Sequence, residues 1–310
     1  MTSPTYTRAD FQTDQEVRWC PGCGDYTILA SVQMFLADLG RPREEFVFVS
    51  GIGCSSRFPY YVNTYGMHSI HGRAPAIATG IATTRPDLSV WVITGDGDGL
   101  SIGGNHLIHA LRRNVNLKII LFNNQIYGLT KGQYSPTSEV GKSTKSSPFG
   151  SLDYPFNPVS LALGAEATFV ARTLDMDRGH TQEMLQKAYD HDGAKAVVMR
   201  GGQAEIVDSS SVDPKAILVH DETREDPSIA FALSRLSHGP YGPTPLGIFR
   251  NVDRPAYDRE VNVQVAAAQE KLGDGDLDKL IRSHGTWTVG PGSPNGGSPD
   301  GSPNGSGGSQ

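Results

Sequence analysis

Apolar and polar residues form two different patterns along this chain, and segments with one pattern alternate with segments with the other. Short, continuous apolar runs are typical of strands that are buried on both faces of a sheet. Between them, apolar residues recur three or four positions apart, which is the period of a helix. This alternation predicts an α/β fold with a mostly parallel sheet. The predicted strands are 46–50, 89–94, 117–122, 167–172, 194–199 and 244–249, and the predicted helices are about 26–39, 74–84, 100–113, 157–164, 177–190, 227–236 and 258–271.

The pattern also predicts how the chain is divided. It is regular over residues 1–200, which we expect to form one domain, and it weakens from 200 to 226. Residues 201–289 are expected to pack on that domain or on a partner subunit. Residues 290–310 consist almost only of Gly, Pro, Ser and Asn, a composition that cannot bury enough apolar surface to fold, so we predict a disordered tail.

Charge and hydropathy narrow the class of protein. The net charge of -6 and the pI near 5.8 disfavour nucleic acid and membrane surfaces as partners. No apolar run is long enough to span a bilayer, and residues 1–17 lack the apolar core of a signal peptide. We therefore expect a cytosolic protein.

Polar side chains follow two neighbouring predicted strands. The turn Gly95-Asp96-Gly97-Asp98-Gly99 follows the strand at 89–94, and Asn124 follows the strand at 117–122. The carboxyl ends of parallel strands meet at one edge of a sheet, which is where open α/β sheets bind ligands. Carboxylate and amide oxygens suit Mg²⁺, which usually also binds phosphate oxygens. The sequence thus predicts a magnesium–diphosphate site, although the glycine-rich turn could simply join a strand to a helix.

The chain has three cysteines, Cys20, Cys23 and Cys54. An odd number in a cytosolic protein argues against a disulfide framework and favours a metal or redox role. Cys20-Pro21-Gly22-Cys23 could be half of a zinc site or a redox pair. Cys54 by itself could be a small buried residue.

Taken in order, these motifs resemble one known family. They are Trp19 to Gly24, Gly53 to Ser56, His71 to Arg73, Gly95 to Gly97 with Asn124, and Ile126 to Gln133. The set is similar to the β subunits of 2-oxoacid:ferredoxin oxidoreductases, and most of all to their 2-oxoglutarate branch. The resemblance runs from about Phe11 to Arg200 and again from His220 to Val289.

The resemblance implies a three-layer thiamine-diphosphate-binding fold and a set of site residues. Asp96, Asn124 and the backbone carbonyl of Ile126 would bind Mg²⁺, and Lys131 would bind the 2-oxoacid carboxylate. Cys20, Cys23 and Cys54 would be three ligands of a [4Fe-4S] cluster. The residues implied to line thiamine diphosphate are Ile52, Gly53, Cys54, Ser55, His71, Gly97, Asp98, Gly128 and Leu129.

The family also implies partners. An α subunit would complete the active site in a heterodimer or a dimer of heterodimers, and it would supply the acid that activates the cofactor. Electrons would pass through the cluster to ferredoxin, and coenzyme A would accept the acyl group. We therefore place no catalytic acid in this chain and expect it to be inactive alone.

One departure from the family pattern concerns the cluster. Family members carry a fourth cluster cysteine at a strand end well after the third, whereas this chain has no cysteine after Cys54. A block of a few dozen residues seen in the family is missing after about residue 194. Three thiolates rarely complete a cubane, so either the fourth ligand is water, a non-cysteine side chain or a partner cysteine, or the cluster is labile or missing.

Less specific interpretations stay open. Asp98 could cap a helix, His71 could be a structural histidine, and Lys131 could be a solvated loop residue. Two other functions compete with the oxidoreductase: an iron-free thiamine-diphosphate decarboxylase or synthase, and a degenerate subunit that acts only as a scaffold.

Overall fold

The structure is a computed structural model that describes residues 5–201, 220–236 and 244–272. The chain divides into two compact units, Met1–Val263 and Gln264–Gln310. The predicted disordered tail lies outside the described residues, as do most of the weakly patterned residues between 200 and 226. The first unit contains all the strands described below. None of the helices in the described part of the chain is long and apolar enough to cross a membrane.

A seven-stranded sheet forms the centre of the described structure, in the order β2-β1-β3-β4-β6-β5-β7. All neighbouring strands are parallel except β7, which is antiparallel to β5. The mostly parallel α/β sheet predicted from the sequence is therefore confirmed. The strands are β1 (Phe46–Ser50), β2 (Tyr65–His68), β3 (Ser89–Gly95), β4 (Lys118–Asn123), β5 (Phe169–Leu174), β6 (Lys195–Arg200) and β7 (Gly247–Asn251).

Eight α-helices connect and flank these strands in the described residues. Several begin with the expected capping chemistry: the side chains of Asn157 and Asp177 accept hydrogen bonds from backbone amides three residues later. The helices are α1 (Asp25–Asp38), α2 (Ala74–Thr84), α3 (Asp96–Leu100), α4 (Gly104–Arg113), α5 (Pro158–Gly164), α6 (Arg178–Asp190), α7 (Ser228–Arg235) and α8 (Tyr257–Leu272).

Helices cover both faces of the sheet, because successive side chains of a strand point to opposite faces. On one face, Phe46, Phe48 and Trp91 pack in an apolar core with α1 and α6. On the other face, Val47 and Val90 pack in a second core with α2, α4, α5 and α7. Both cores are buried, which explains why the central strands are apolar at nearly every position.

One helix begins later than predicted. The helix expected at about 100–113 is α4, which begins at Gly104, because a turn separates it from the short helix α3 that starts at Asp96 and ends at Leu100. At that turn, a side chain on Gly72 would lie 2.4 Å from the Cα atom of Gly103, so the two backbones are in direct contact. The edge strand β2 was not predicted. Helix α1 begins at Asp25, one residue before the predicted start, with Gly24 at its N-cap position.

Candidate cofactor site

A cleft opens at the carboxyl ends of β1, β3 and β4, with about 440 Å³ of empty space that is partly open to solvent. The cleft collects all the residues that the resemblance assigns to thiamine diphosphate and magnesium. It is lined by Ile52, Gly53, Cys54, Ser55, His71, Gly95, Asp96, Gly97, Asp98, Phe122, Asn124, Ile126, Tyr127, Gly128, Leu129 and Thr130.

Asp96 is the buried carboxylate of this cleft, 2% exposed at the start of α3. Its Oδ2 atom accepts hydrogen bonds from Ser135 Oγ at 2.6 Å and from Thr137 Oγ1 at 2.5 Å. Burial raises the pKa of Asp96, and the two hydroxyl groups oppose that shift. These donors fix the carboxylate in one orientation, as the outer partners of a metal ligand do.

The turn after β4 supplies the other oxygen atoms. Asn124 Oδ1 accepts a hydrogen bond from the backbone amide of Ile126 at 3.2 Å, and Gln125 has a positive φ of 58°. The turn is held from outside by Ser138 Oγ, which donates to the carbonyl of Gln125 at 2.8 Å. The cleft is thus lined by Asp96, Asn124 and Ile126. These residues carry a carboxylate, an amide and a backbone carbonyl oxygen, the donor types that Mg²⁺ prefers.

Asp98 accepts hydrogen bonds from several segments that surround the cleft. Its Oδ1 atom accepts hydrogen bonds from the amides of Ile52 at 3.2 Å and Gly72 at 2.8 Å, and its Oδ2 atom accepts one from Thr94 Oγ1 at 2.8 Å. The Nδ1 atom of His71 lies 3.5 Å from Oδ1. Asp98 therefore lines the cleft while its oxygens bind protein groups, so its clearest role is to position the loops that carry Ile52 and His71.

The segment after Ile126 is a tight loop against the start of α3. Tyr127 exchanges backbone hydrogen bonds with residues 132 and 133, and its hydroxyl donates to the carbonyl of Gly97 at 2.9 Å. A side chain at Gly97 would lie 2.2 Å from the Tyr127 ring, so this approach requires glycine. Lys131 is exposed at the tip of this loop, with a positive φ of 77°, next to Thr130 of the cleft wall.

The cysteines lie beside the cleft. Cys54 belongs to its lining, while Cys20 and Cys23 lie on the turn before α1. Trp19 joins the two segments, because its Nε1 atom donates to the carbonyl of Cys54 at 2.7 Å. Burial raises the pKa of Cys23 to about 11, with nearby Asp25 and Cys54 adding to the shift. Burial likewise raises the pKa of Cys54, helped by Asp25 and Cys20.

All three cysteines are free. Among the described residues, no group of three His, Cys, Asp or Glu side chains lies close enough together to hold a single metal ion.

Sequence reasoning missed Ser135 and Thr137, the two hydroxyl partners of Asp96. Both are 2% exposed, although they lie outside the motifs on which the sequence analysis depends. Buried hydroxyl groups need hydrogen-bond partners, but the sequence carries no sign of which loop positions become buried.

Comparisons with known proteins agree with this geometry. Residues 51–199 match the model of the thiamine pyrophosphate enzyme C-terminal TPP binding domain. The 2-oxoglutarate oxidoreductase subunit KorB of Mycobacterium tuberculosis strain H37Rv is 55% identical over 327 residues, covering 90% of this chain and 88% of that protein. The 2-oxoacid:ferredoxin oxidoreductase 1 subunit beta of Aeropyrum pernix is 44% identical, covering 61% of this chain and 59% of that protein.

A solved structure extends the match to three dimensions. It is the 2-oxoglutarate:ferredoxin oxidoreductase from Magnetococcus marinus with 2-oxoglutarate, coenzyme A and succinyl-CoA bound. The TM-score is 0.76 at 36% identity, over 92% of this chain and 100% of that chain. With the KorB match at 55% identity, it shows that this chain belongs to the β subunits of the 2-oxoacid:ferredoxin oxidoreductase family, on its 2-oxoglutarate side.

Proposed function

We propose that this chain binds thiamine diphosphate and Mg²⁺ as the β subunit of an enzyme that oxidatively decarboxylates 2-oxoglutarate to its acyl-CoA in the cytosol. Electrons would leave singly through an iron–sulfur cluster to ferredoxin. The observation that carries the proposal is the cleft in which Asp96, Asn124 and Ile126 meet beside Cys54. The names of the relatives and the solved structure support the choice of 2-oxoacid and acceptor.

Each group in the cleft would have a separate task. Asp96, Asn124 and the carbonyl of Ile126 would hold Mg²⁺ against the diphosphate, with Ser135 and Thr137 fixing Asp96. When bound, thiamine diphosphate takes up the electron pair that decarboxylation leaves behind. Lys131 would bind and orient the substrate carboxylate. Cys20, Cys23 and Cys54 would supply three thiolate ligands to an iron–sulfur cluster next to that cofactor.

A partner subunit is needed to complete this site. The relatives are named as β subunits, which implies an α subunit. The loop at 149–156, which we call the apolar loop, supports a partner surface because Phe149 is 100% exposed and Leu152 is 89% exposed. Its far end is joined to the Asp96 region, since the amide of Phe156 donates to the carbonyl of Pro136 at 2.8 Å. We infer that the α subunit covers this loop and supplies the acid that activates the cofactor.

The proposed function is tested with the chain purified anaerobically together with its α subunit. We expect reduction of ferredoxin, or of a viologen dye, only when 2-oxoglutarate, coenzyme A, thiamine diphosphate and Mg²⁺ are all present. Release of CO₂ without coenzyme A or an acceptor would instead favour an iron-free decarboxylase. A complex that assembles without binding thiamine diphosphate would favour the scaffold, the alternative suggested by the missing fourth cysteine.

Replacing Lys131 with alanine is expected to raise the KM for 2-oxoglutarate by about 10- to 100-fold, the size expected for a lost hydrogen bond to a charged group. The affinity for thiamine diphosphate should change little, because Lys131 lies outside the cleft lining. Steady-state kinetics and a cofactor titration separate the two effects. Lys145→Ala, at another exposed loop lysine, is the matched control. A larger loss of cofactor affinity than of substrate affinity would remove Lys131 from the substrate site.

A further inference from the structure

The turn from Asn124 to Ile126 carries two of the oxygen atoms assigned to Mg²⁺, and its backbone is strained. Gln125, at its centre, has a positive φ of 58°, a conformation that residues other than glycine rarely adopt. Asn124 is exposed and its two neighbours are only half-buried, so side-chain packing contributes little to holding the turn. A strained turn of this kind persists only where the surrounding structure fixes it.

Two side chains from the following loop fix the backbone of this turn. The carbonyl oxygen of Gln125 accepts a hydrogen bond from Ser138 Oγ at 2.8 Å and another from Lys142 Nζ, also at 2.8 Å. A carbonyl oxygen has two lone pairs, so both are used. Lys142 is half-buried and forms none of the ion pairs found among the described residues. Its charge is therefore directed at the turn and not at a carboxylate.

The bond from Lys142 reaches the side chain of Asn124 through a single peptide group. The carbonyl of Gln125 and the amide of Ile126 belong to one planar unit, so fixing the direction of the carbonyl also fixes that of the N–H. This N–H donates to Asn124 Oδ1 at 3.2 Å. A cation on the carbonyl also polarises the peptide group and strengthens the N–H as a donor. The second lone pair of Oδ1 stays available for a metal ion.

The backbone of Lys142 is itself held, in part by the apolar loop. Its carbonyl accepts a hydrogen bond from the amide of Ser151 at 3.1 Å, and its amide donates to the carbonyl of Glu139 at 3.2 Å. The preceding amide, of Gly141, donates to the carbonyl of Ser151 at 2.7 Å. Because the main chain is fixed on both sides of Lys142, its ammonium group reaches the turn with a smaller loss of conformational freedom.

We propose that Lys142 is a positioning residue of the cofactor site. It fixes the peptide group between Gln125 and Ile126 and thereby presents the amide oxygen of Asn124 to Mg²⁺. Lys142 does not belong to the lining of the cleft, so it acts through the turn and not on the cofactor. The inference rests on the magnesium site of the proposed function and adds to it a residue outside the cleft.

The test compares Lys142→Met with Lys142→Arg in the complex of the full chain with its α subunit. Hydrogen exchange of the Ile126 amide, measured without cofactor, reports on the turn itself. It should be at least about 10-fold faster in Lys142→Met, the effect of one lost hydrogen bond to a charged group, and close to wild type in Lys142→Arg. The Mg²⁺ concentration that gives half-maximal binding of thiamine diphosphate should rise by about 10- to 100-fold in Lys142→Met, as for other outer partners of a metal ligand.

Lys145→Met, at an exposed lysine of the same loop, is the matched control and should change neither quantity. Circular dichroism confirms that each variant is folded, and Lys142→Ala replaces Lys142→Met if the latter is unstable. Unchanged exchange of the Ile126 amide would overturn the proposal even if cofactor affinity falls, because Lys142 would then contact the cofactor directly. Faster exchange with an unchanged need for Mg²⁺ would overturn it as well.

Failure of the proposed function gives a different result. A wild-type complex that binds no thiamine diphosphate would overturn that function, whereas the exchange of the Ile126 amide in the same complex would still show whether Lys142 fixes the turn.

Discussion

Replacing Asp96 with alanine should abolish magnesium-dependent binding of thiamine diphosphate. Asp96 is the one carboxylate assigned to the metal, so its loss removes the negative charge as well as a ligand. Loss of an outer partner of a metal ligand alone lowers metal affinity by about 10- to 100-fold, so loss of the ligand should exceed about 100-fold. The measurement is isothermal titration of thiamine diphosphate into the chain, alone and with its α subunit, with and without Mg²⁺.

Thr137→Val should cause a smaller loss of cofactor affinity than Asp96→Ala in the same measurement. It removes a hydroxyl that lies 2.5 Å from Asp96 Oδ2 but leaves the ligand in place, so we expect a loss of about 10- to 100-fold. Thr84→Val, at the exposed end of α2, is the same substitution away from the cleft and should have no effect. An Asp96→Ala variant that still binds the cofactor with unchanged affinity and Mg²⁺ dependence would refute the magnesium site.

The sequence predicted the central strands well because burial on both faces leaves a continuous apolar run. β1 begins and ends at the predicted residues for this reason. α2 also begins and ends at the predicted residues, and its small residues pack against the sheet. β2 could not be predicted in this way. Among the strands of the described residues it pairs only with β1, and all four of its residues are exposed, so its backbone pairing leaves no apolar pattern in the sequence.

The candidate site was predictable where the chemistry is local. Asp96 and Asn124 follow adjacent parallel strands, so topology alone brings them to one cleft. The hydroxyl partners of Asp96 come from a loop about 40 positions further along the chain, as Ser135 shows. Which hydroxyls of that loop become buried depends on the fold of the whole chain, and no local sequence pattern records it. The alignment with KorB runs over 327 residues, which is more than the 310 residues of this chain. That relative therefore carries residues that this chain lacks.

Replacing Asp98 with alanine should reduce the stability of the fold. Asp98→Ala would leave two buried or half-buried donors without an acceptor, the amides of Ile52 and Gly72, whereas the hydroxyl of Thr94 could still donate to the carbonyl of Gly95. An unsatisfied buried donor costs about 1 to 3 kcal/mol, so we expect the free energy of unfolding to fall by about 2 kcal/mol or more. Urea denaturation of the chain measures this directly.

Asp98→Asn separates hydrogen bonding from charge at the same position. Its carbonyl oxygen can still accept from Ile52 and Gly72, and its amide can donate to Thr94 Oγ1, so it should cost about 1 kcal/mol. Asp87→Ala removes an exposed carboxylate paired with Arg85 and should change stability by less than about 1 kcal/mol. If Asp98→Ala unfolds like Asp87→Ala, the amides of Ile52 and Gly72 do not depend on this carboxylate. The affinity of Asp98→Asn for the cofactor then distinguishes the two roles of Asp98. If Asp98 only positions the loops, the affinity should remain almost unchanged. If its charge contacts the cofactor, the affinity should change.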